Sequence, residues 1–98
     1  MMSQRVLSRT VVVTNPTGLH LRPASLFARC AAGFQATIEV VKDNERVDGK
    51  SVLSITSLGV QPGSAITIVA SGDDAQAAVE ALVLLIQQDF GREAVEGQ

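Results

Sequence analysis

The segment at residues 18–24, which reads Gly-Leu-His-Leu-Arg-Pro-Ala, constrains this chain most because it marks where a loop ends and a helix begins. Gly18 can adopt backbone angles that other residues avoid, so it suits the turn before the helix. Pro23 has a fixed φ and no N–H, which suits a first helical turn. His20 is therefore expected just outside a helix N-terminus, where unpaired N–H groups and the helix dipole favour an anion. Arg22 adds a permanent positive charge, and the whole segment is typical of a phosphate-receiving site.

His20 is the only histidine in the chain, and a lone histidine near a loop is commonly just a surface or capping residue. Its combination with Gly18, Arg22 and Pro23 favours a functional role instead. A neutral imidazole nitrogen carries a lone pair and can attack phosphorus without a separate base. The transfer then depends on positioning and electrostatic stabilisation, which Arg22 and the helix amides would supply.

Hydrophobic periodicity and turn residues predict the element order β-α-β-β-α-β-α. The predicted strands lie at residues 8–14, 36–42, 45–48 and 65–71. The first helix is predicted over residues 22–32 with Gly33 as its stop, and the second follows the N-cap candidate Ser51 and ends at Gly59. The third helix is expected to open at residues 71–74 with acids in its first turn. This order favours an α+β fold with antiparallel pairing and helices on one face.

The same periodicity predicts which helical side chains are buried. The expected apolar stripes comprise Ala24, Phe27, Ala28 and Ala31 in the first helix, and Ala78, Val79, Leu82, Leu85 and Ile86 in the last. Aromatic residues make up only 3% of the chain, so the core must be aliphatic. A length of 98 residues predicts a single domain over residues 1–98, with its core at about residues 8–90 and a loosely ordered lead-in at residues 1–7.

Composition and motifs exclude several classes of function. A net charge of −2 without a basic run argues against nucleic-acid binding. No stretch is long and apolar enough to span a membrane, and the start lacks the apolar region of a signal peptide, so a cytoplasmic protein is expected. One cysteine and one histidine without a carboxylate cluster predict neither a zinc site nor another metal or cofactor. Cys30 falls in a helical apolar pattern and is expected to be a buried structural thiol.

Residues 18–24 resemble the active-site motif of the HPr family, the histidine phosphocarrier proteins of the bacterial phosphotransferase system. Residues 50–59, which read Lys-Ser-Val-Leu-Ser-Ile-Thr-Ser-Leu-Gly, resemble the regulatory serine helix of that family. The resemblance extends from about residue 9 to about residue 90. It implies an open-faced β-sandwich, in which a four-stranded antiparallel sheet carries three helices on one face.

The resemblance also implies partners and roles for individual residues. His20 would accept a phosphoryl group through Nδ1 from enzyme I, itself phosphorylated by phosphoenolpyruvate, and pass it to enzyme II A components of sugar transport. Arg22 would assist the transfer, and Gly18, Pro23 and Ala24 would help to position the phosphate. Such a protein is a monomeric carrier and not an enzyme with its own substrate pocket.

Two further features of the chain follow from the same resemblance. Ser51 matches the residue that an ATP-dependent HPr kinase/phosphorylase modifies, although a serine before a short helix can also be only an N-cap. Val52 and Leu53 cannot easily both be buried on one short helix, so a small apolar docking patch near His20 is expected. The predicted docking residues are Leu21, Ser25, Leu26, Arg29, Val52, Leu53 and Thr56.

Two alternatives belong to other functional classes. The first is a regulatory phosphoprotein of the nitrogen or carbon-catabolite type, not coupled to sugar uptake and acting in one version only through phosphorylated Ser51. The second is a small ligand-sensing regulatory domain, since a fold does not fix a function. His20 beside Arg22 and Pro23 disfavours the sensor, which has no need of them. The sequence leaves open which pathway is served and what the residues after Gly91 do.

Overall fold

The structure, a computed structural model, describes residues 6–91 as four strands and three helices in the predicted order. The elements are β1 (Val6–Val12), α1 (Leu21–Ala32), β2 (Thr37–Lys42), β3 (Glu45–Asp48), α2 (Val52–Ser57), β4 (Ala65–Ser71) and α3 (Ala75–Gln87). A short turn, Asp89–Gly91, follows α3. The expected lead-in is described only from Val6 onward, so its first five residues and the tail after Gly91 lie outside the described residues.

The four strands form one sheet in the order β1-β4-β2-β3, and every pair is antiparallel. α3 packs on β1 and β4, while α1 contacts both α2 and α3. The helices thus share one layer against the sheet, which confirms the predicted open-faced sandwich. This arrangement brings the N-terminus of α1 and the short α2 to the same side of the molecule, where the predicted site residues lie.

The core lies between the sheet and the helical layer and is almost entirely aliphatic. Alternation in β2 and β4 turns Ile38, Val40, Ile66, Ile68 and Ala70 inward, as the period of a strand requires. From the helices, all predicted members of the α1 stripe are buried, and so are those of α3 except Leu85, which is half-buried.

β1 occupies residues 6–12, so the prediction of a strand over residues 8–14 is wrong at both ends. The strand pairs along its whole length with β4, from Val6 opposite Ser71 to Val12 opposite Ala65. Its length is therefore set by its partner strand, and the local valine-rich pattern does not report that partner. Val13 is still held by backbone hydrogen bonds to the loop before β4 and is fully buried.

The start of α3 also differs from the prediction, because no acidic residue lies in its first turn. Asp74 is the N-cap residue, but its carboxylate does not cap its own helix. It accepts hydrogen bonds from the backbone N–H groups of Gln35 and Ala36, both at 2.8 Å. The acid thus ties the α1–β2 loop to the start of α3, and β2 begins after this clasp, at Thr37.

Cys30 is half-buried, not fully buried as predicted. It lies beside the α1 stripe and packs against the core from its margin. Burial raises the pKa of its thiol, which keeps the sulfur in its less reactive protonated form. We therefore expect Cys30 to have a structural role and not a reactive one.

Candidate functional site

The loop between β1 and α1 reaches His20 through a turn that only glycine fits at residue 18. Gly18 has a φ of +64°, a left-handed conformation that other residues adopt at an energetic cost. A Cβ atom at this position would also clash with the backbone carbonyl oxygen of Val60. The predicted role of Gly18 as a turn residue is confirmed, and the structure adds a close backbone approach that requires glycine.

The residue after this turn anchors the loop in the core and leaves His20 outside it. Leu19 is 2% exposed, and its N–H donates to the Val60 carbonyl at 3.1 Å. His20 follows in an extended conformation as the N-cap of α1, and its side chain is exposed. The imidazole makes no capping hydrogen bond to the helix within the described residues, so the exposed ring is not engaged by the end of its own helix.

The first turn of α1 presents an electropositive end beside His20. The Ala24 N–H donates to the His20 carbonyl at 2.9 Å and closes the first turn. Pro23 is buried and has no N–H to offer, so the amides of Leu21 and Arg22 are the helix-end donors that lack an intrahelical acceptor. No acidic residue lies in this turn. The arrangement suits an anion held at the helix N-terminus.

Arg22 is exposed in this first turn. The ion pairs in the described part of the chain are Lys42 with Asp43 and Arg46 with Glu39, both at the β2–β3 end of the sheet. The guanidinium of Arg22 is therefore not engaged by a carboxylate among those residues. It can offer several donors and a permanent charge to an anion near His20.

His20 stands at the rim of an open cleft of about 490 Å³ between the β1–α1 loop and the α2–β4 loop. The cleft is lined by Thr17, Leu19, His20, Leu21, Thr56, Gly59, Val60 and Gln61. Sequence reasoning missed Thr17, Leu19, Gly59, Val60 and Gln61 as site residues. Thr17 could have been found from its position in the turn before His20, whereas Gln61 is distant in sequence and carries no local signal.

The predicted docking residues all lie on α1 and α2, which pack against each other. Leu21 and Leu53 are 60% and 79% exposed, which is unusual for leucine. Leu26 and Val52 are partly buried against the core, and Arg29 is exposed. Ser25 and Thr56 are half-buried. The structure thus places two exposed leucines on neighbouring helices, and one of them, Leu21, lines the cleft.

Ser51 is the N-cap of α2, as predicted. Its Oγ accepts a hydrogen bond from the Ser54 N–H at 3.2 Å, and the residue is half-buried. The side chain of Lys50 donates to the Phe34 carbonyl at 2.8 Å. The hydroxyl therefore already has a structural role at a helix end.

Comparison with known proteins agrees with this geometry. The family model described as PTS HPr component phosphorylation site matches residues 7–88. The chain belongs to the HPr family. The HPr-family likeness covers nearly all of the residues that the structure describes, and the resemblance noted from two short motifs is confirmed over the whole fold.

Two relatives and one solved structure illustrate the range of this HPr-family likeness. The chain is 38% identical over 84 residues to the HPr-like protein Crh of Halalkalibacterium halodurans, covering 86% of this chain and 100% of that protein. It is 44% identical over 89 residues to DhaM of Providencia stuartii, the phosphoryl donor subunit of a PEP-dependent dihydroxyacetone kinase, covering 91% of this chain but only 19% of DhaM. The structure of the phosphocarrier protein HPr from Bacillus anthracis superposes with a TM-score of 0.80 at 41% identity, covering 83% of this chain and 96% of that one.

Two absences apply to the described residues alone. No helix among residues 6–91 is both long and apolar enough to cross a membrane. The same residues contain no group of three or more His, Cys, Asp or Glu side chains placed to hold a metal ion.

Proposed function

We propose that this protein is a phosphocarrier whose acceptor is His20, phosphorylated by enzyme I and discharged by enzyme II A components of sugar transport. The single observation that carries the proposal is the exposed imidazole at the N-cap of α1, which makes no capping bond among the described residues. Membership of the HPr family supports the same role. The cleft beside His20 is open, which fits a residue that meets other proteins.

The transfer uses the groups described above. An unprotonated ring nitrogen of His20 attacks phosphorus with its lone pair and forms a P–N bond. The bond between phosphorus and the donor breaks, and its electron pair leaves with the donor. The transferring group stays anionic throughout, so the amides at the start of α1 and the Arg22 guanidinium stabilise its charge. Discharge to an acceptor is the same step in reverse, with His20 as the leaving group.

The test is to incubate the purified protein with enzyme I and phosphoenolpyruvate and to map the modification by mass spectrometry. We expect one acid-labile phosphoryl group on His20. Adding an enzyme II A component should then remove it. Label on any other residue, or none, would contradict the proposal.

We further propose that phosphorylation of Ser51 by HPr kinase/phosphorylase regulates the carrier. A phosphoserine at this N-cap gains from the helix dipole and the amides of α2, so the helix should persist. Its charge of about −1.5 to −2 would lie beside Leu53 and Val52, where it disfavours the docking of a partner. Incubation with the kinase and ATP should label Ser51, and label on Ser54 or Ser57 alone would refute the assignment.

The DhaM likeness supports a second destination for the phosphoryl group. DhaM is named as a phosphoryl donor subunit for dihydroxyacetone phosphorylation, and this chain is 44% identical to one part of it. We propose a direct competition assay, in which the phosphorylated protein is offered an enzyme II A component or the dihydroxyacetone kinase subunits with dihydroxyacetone. Faster loss of label to the kinase subunits would place the protein in that system instead of sugar uptake.

A further inference from the structure

Asn15 is the one buried polar residue among those that the structure describes, with 4% of its surface exposed. It lies in the turn between β1 and α1, ahead of Gly18. Its Nδ2 donates a short hydrogen bond of 2.7 Å to the Gly18 carbonyl and a longer one of 3.3 Å to Thr17 Oγ1. These two hydrogen bonds hold the Asn15 side chain to the loop that carries His20.

The peptide between Gly18 and Leu19 is held at both of its polar groups. Its carbonyl accepts from Asn15 Nδ2 at 2.7 Å, and its N–H donates to the Val60 carbonyl at 3.1 Å. The Leu19 side chain fixes the adjoining Cα by burial in the core. The orientation of this peptide is thus determined from two sides before the chain reaches His20.

His20 has no comparable support of its own. Its imidazole makes no capping hydrogen bond within the described residues, so the position of the ring follows from the backbone that precedes it. We infer that Asn15 is a positioning residue for phosphoryl transfer, acting through the Gly18–Leu19 peptide to hold His20 in line with its donor. The inference rests on the proposed function of His20 and adds to it a residue that never touches phosphate.

The other end of the same amide supports this assignment. Asn15 Oδ1 is buried and has no hydrogen-bond partner among residues 6–91, an arrangement that destabilises a folded chain. The amide is thus placed so that its N–H end is used and its oxygen is left unsatisfied. A residue selected for stability alone would avoid that, whereas a residue required as a donor to the Gly18 carbonyl must accept it.

The chain contains two asparagines, Asn15 and Asn44, which provide a matched test. Asn15→Asp keeps the size but replaces the donor with a carboxylate, and Asn15→Ala removes the donor without adding charge. Asn44→Asp makes the same chemical change at the exposed β2–β3 turn. Ile38→Val, in the buried face of β2, controls for a general loss of stability.

The measurement is the saturation kinetics of His20 phosphorylation by enzyme I and phosphoenolpyruvate, at a temperature where circular dichroism finds every variant folded. We expect both Asn15 variants to lower the maximal rate at least about tenfold, since small misplacements of a reacting group carry large rate penalties. Their half-saturating concentration should stay unchanged, because the docking residues on α1 and α2 are untouched. Asn44→Asp and Ile38→Val should match the wild type.

Each other outcome has a distinct meaning. Wild-type maximal rates in both Asn15 variants would overturn the positioning role and leave the proposed function standing. A slow Asn15→Asp with a normal Asn15→Ala would also overturn it, because charge repulsion alone would then explain the effect. A wild-type protein that takes no label would overturn the proposed function itself.

A measurement on the wild type keeps the inference falsifiable if the Asn15 variants do not fold. In protein labelled with nitrogen-15 at asparagine only, the side-chain amides of Asn15 and Asn44 can be compared by hydrogen exchange. The Asn15 amide should exchange at least about tenfold more slowly, because its hydrogen bond is buried. Equal exchange rates at the two residues would contradict the hydrogen bond from Asn15 Nδ2 to the Gly18 carbonyl, and with it the positioning role.

Discussion

α1 and α2 are neighbouring helices, but their N-termini differ in whether a side chain caps them. α2 is capped from within, since Ser51 Oγ accepts the Ser54 N–H. The N-cap of α1 is His20, whose side chain makes no such bond within the described residues. The first amides of α1 are therefore free to bind an anion. One end is closed by its own side chain and the other is available to a ligand.

This difference separates stability from function within one layer of helices. A satisfied helix end contributes to folding, whereas an unsatisfied end gives up that contribution and retains donors for an anion. The exposure of His20 and the absence of an acid in its turn fit the second case. Substitutions at the two ends should therefore have different consequences, one for transfer and one for stability.

The largest expected effect comes from His20→Ala, which removes the proposed acceptor at the open end. We expect complete loss of acid-labile phosphorylation by enzyme I, with the thermal unfolding midpoint nearly unchanged because the side chain is exposed and uncapped. Phosphate analysis of the acid-treated and untreated protein measures the acid-labile phosphorylation, and a thermal melt measures the unfolding midpoint. Full phosphotransfer in this variant would sink the carrier proposal.

Gly18→Ala tests the close approach between the loop before α1 and the backbone of Val60. A Cβ there meets the Val60 carbonyl oxygen in a backbone conformation with φ of +64°, so we expect a loss of about 2–3 kcal/mol in unfolding free energy. Gly59→Ala is the control, because Gly59 has the same φ of +64° but open space around its Cβ position. The control should lose only about 1 kcal/mol. Equal losses by urea denaturation would contradict the close approach.

Arg22→Lys keeps the charge at the open end but removes the planar fork of donors. We expect transfer from enzyme I to slow roughly tenfold, or about 1.4 kcal/mol, which is the scale of one hydrogen bond to a charged group. Stability should not change, because Arg22 is exposed. Arg9→Lys on β1 serves as the control. Equal rates for Arg22→Lys and the wild type would mean that the fork is not used.

Two substitutions of Ser51 probe the closed end. Ser51→Ala loses the cap on α2 and should lower the unfolding free energy by about 1 kcal/mol without slowing transfer. Ser51→Asp keeps a capping oxygen, so stability should hold while the new charge slows His20 phosphorylation several-fold. Ser57→Asp, at the other end of α2, is the charge control. An unchanged rate for Ser51→Asp would contradict inhibition by charge at this position.

The smallest expected effect concerns Asp74, whose carboxylate connects the α1–β2 loop to the start of α3 and does not cap a helix. The backbone N–H groups of Gln35 and Ala36 hold the pKa of this carboxyl below its ordinary value of 3.8. Its stabilising contribution is therefore present above that pH and is lost as the pH falls through the lowered pKa. Asp74→Asn should flatten the acid side of a plot of melting temperature against pH. Asp73→Asn, at the exposed neighbour, should leave that plot as in the wild type.

Local patterns were sufficient for most of the fold. β3, β4 and the Ser51 cap lie where alternation and capping residues predict them, because those signals are contained in a few adjacent residues. The predictions are wrong for the bounds of β1 and for the acids in the first turn of α3, because a distant partner decides each of them: β4 for the strand and Gln35 for Asp74. A local pattern cannot report such a partner.

The same division holds for the candidate site. His20, Arg22 and Gly18 are found from their spacing, since a loop followed by a helix start is a local signal. Val60 and Gln61 were missed because they reach the cleft only when the α2–β4 loop folds over the β1–α1 loop. Asn15 was read as part of a turn, and its grip on the Gly18 carbonyl becomes visible only in three dimensions.

Within the part of the chain that the structure describes, nothing covers the cleft beside His20, since Thr17, Leu21, Gly59 and Gln61 around it are all exposed. A phosphoryl group carried there would stand in bulk water whenever the protein diffuses between partners. Enzymes protect reactive intermediates by closing over them, and here a docked partner would exclude water from the site instead. The lifetime of the charged carrier would then be governed by the hydrolysis of its P–N bond, which sets a time limit on each journey from donor to acceptor.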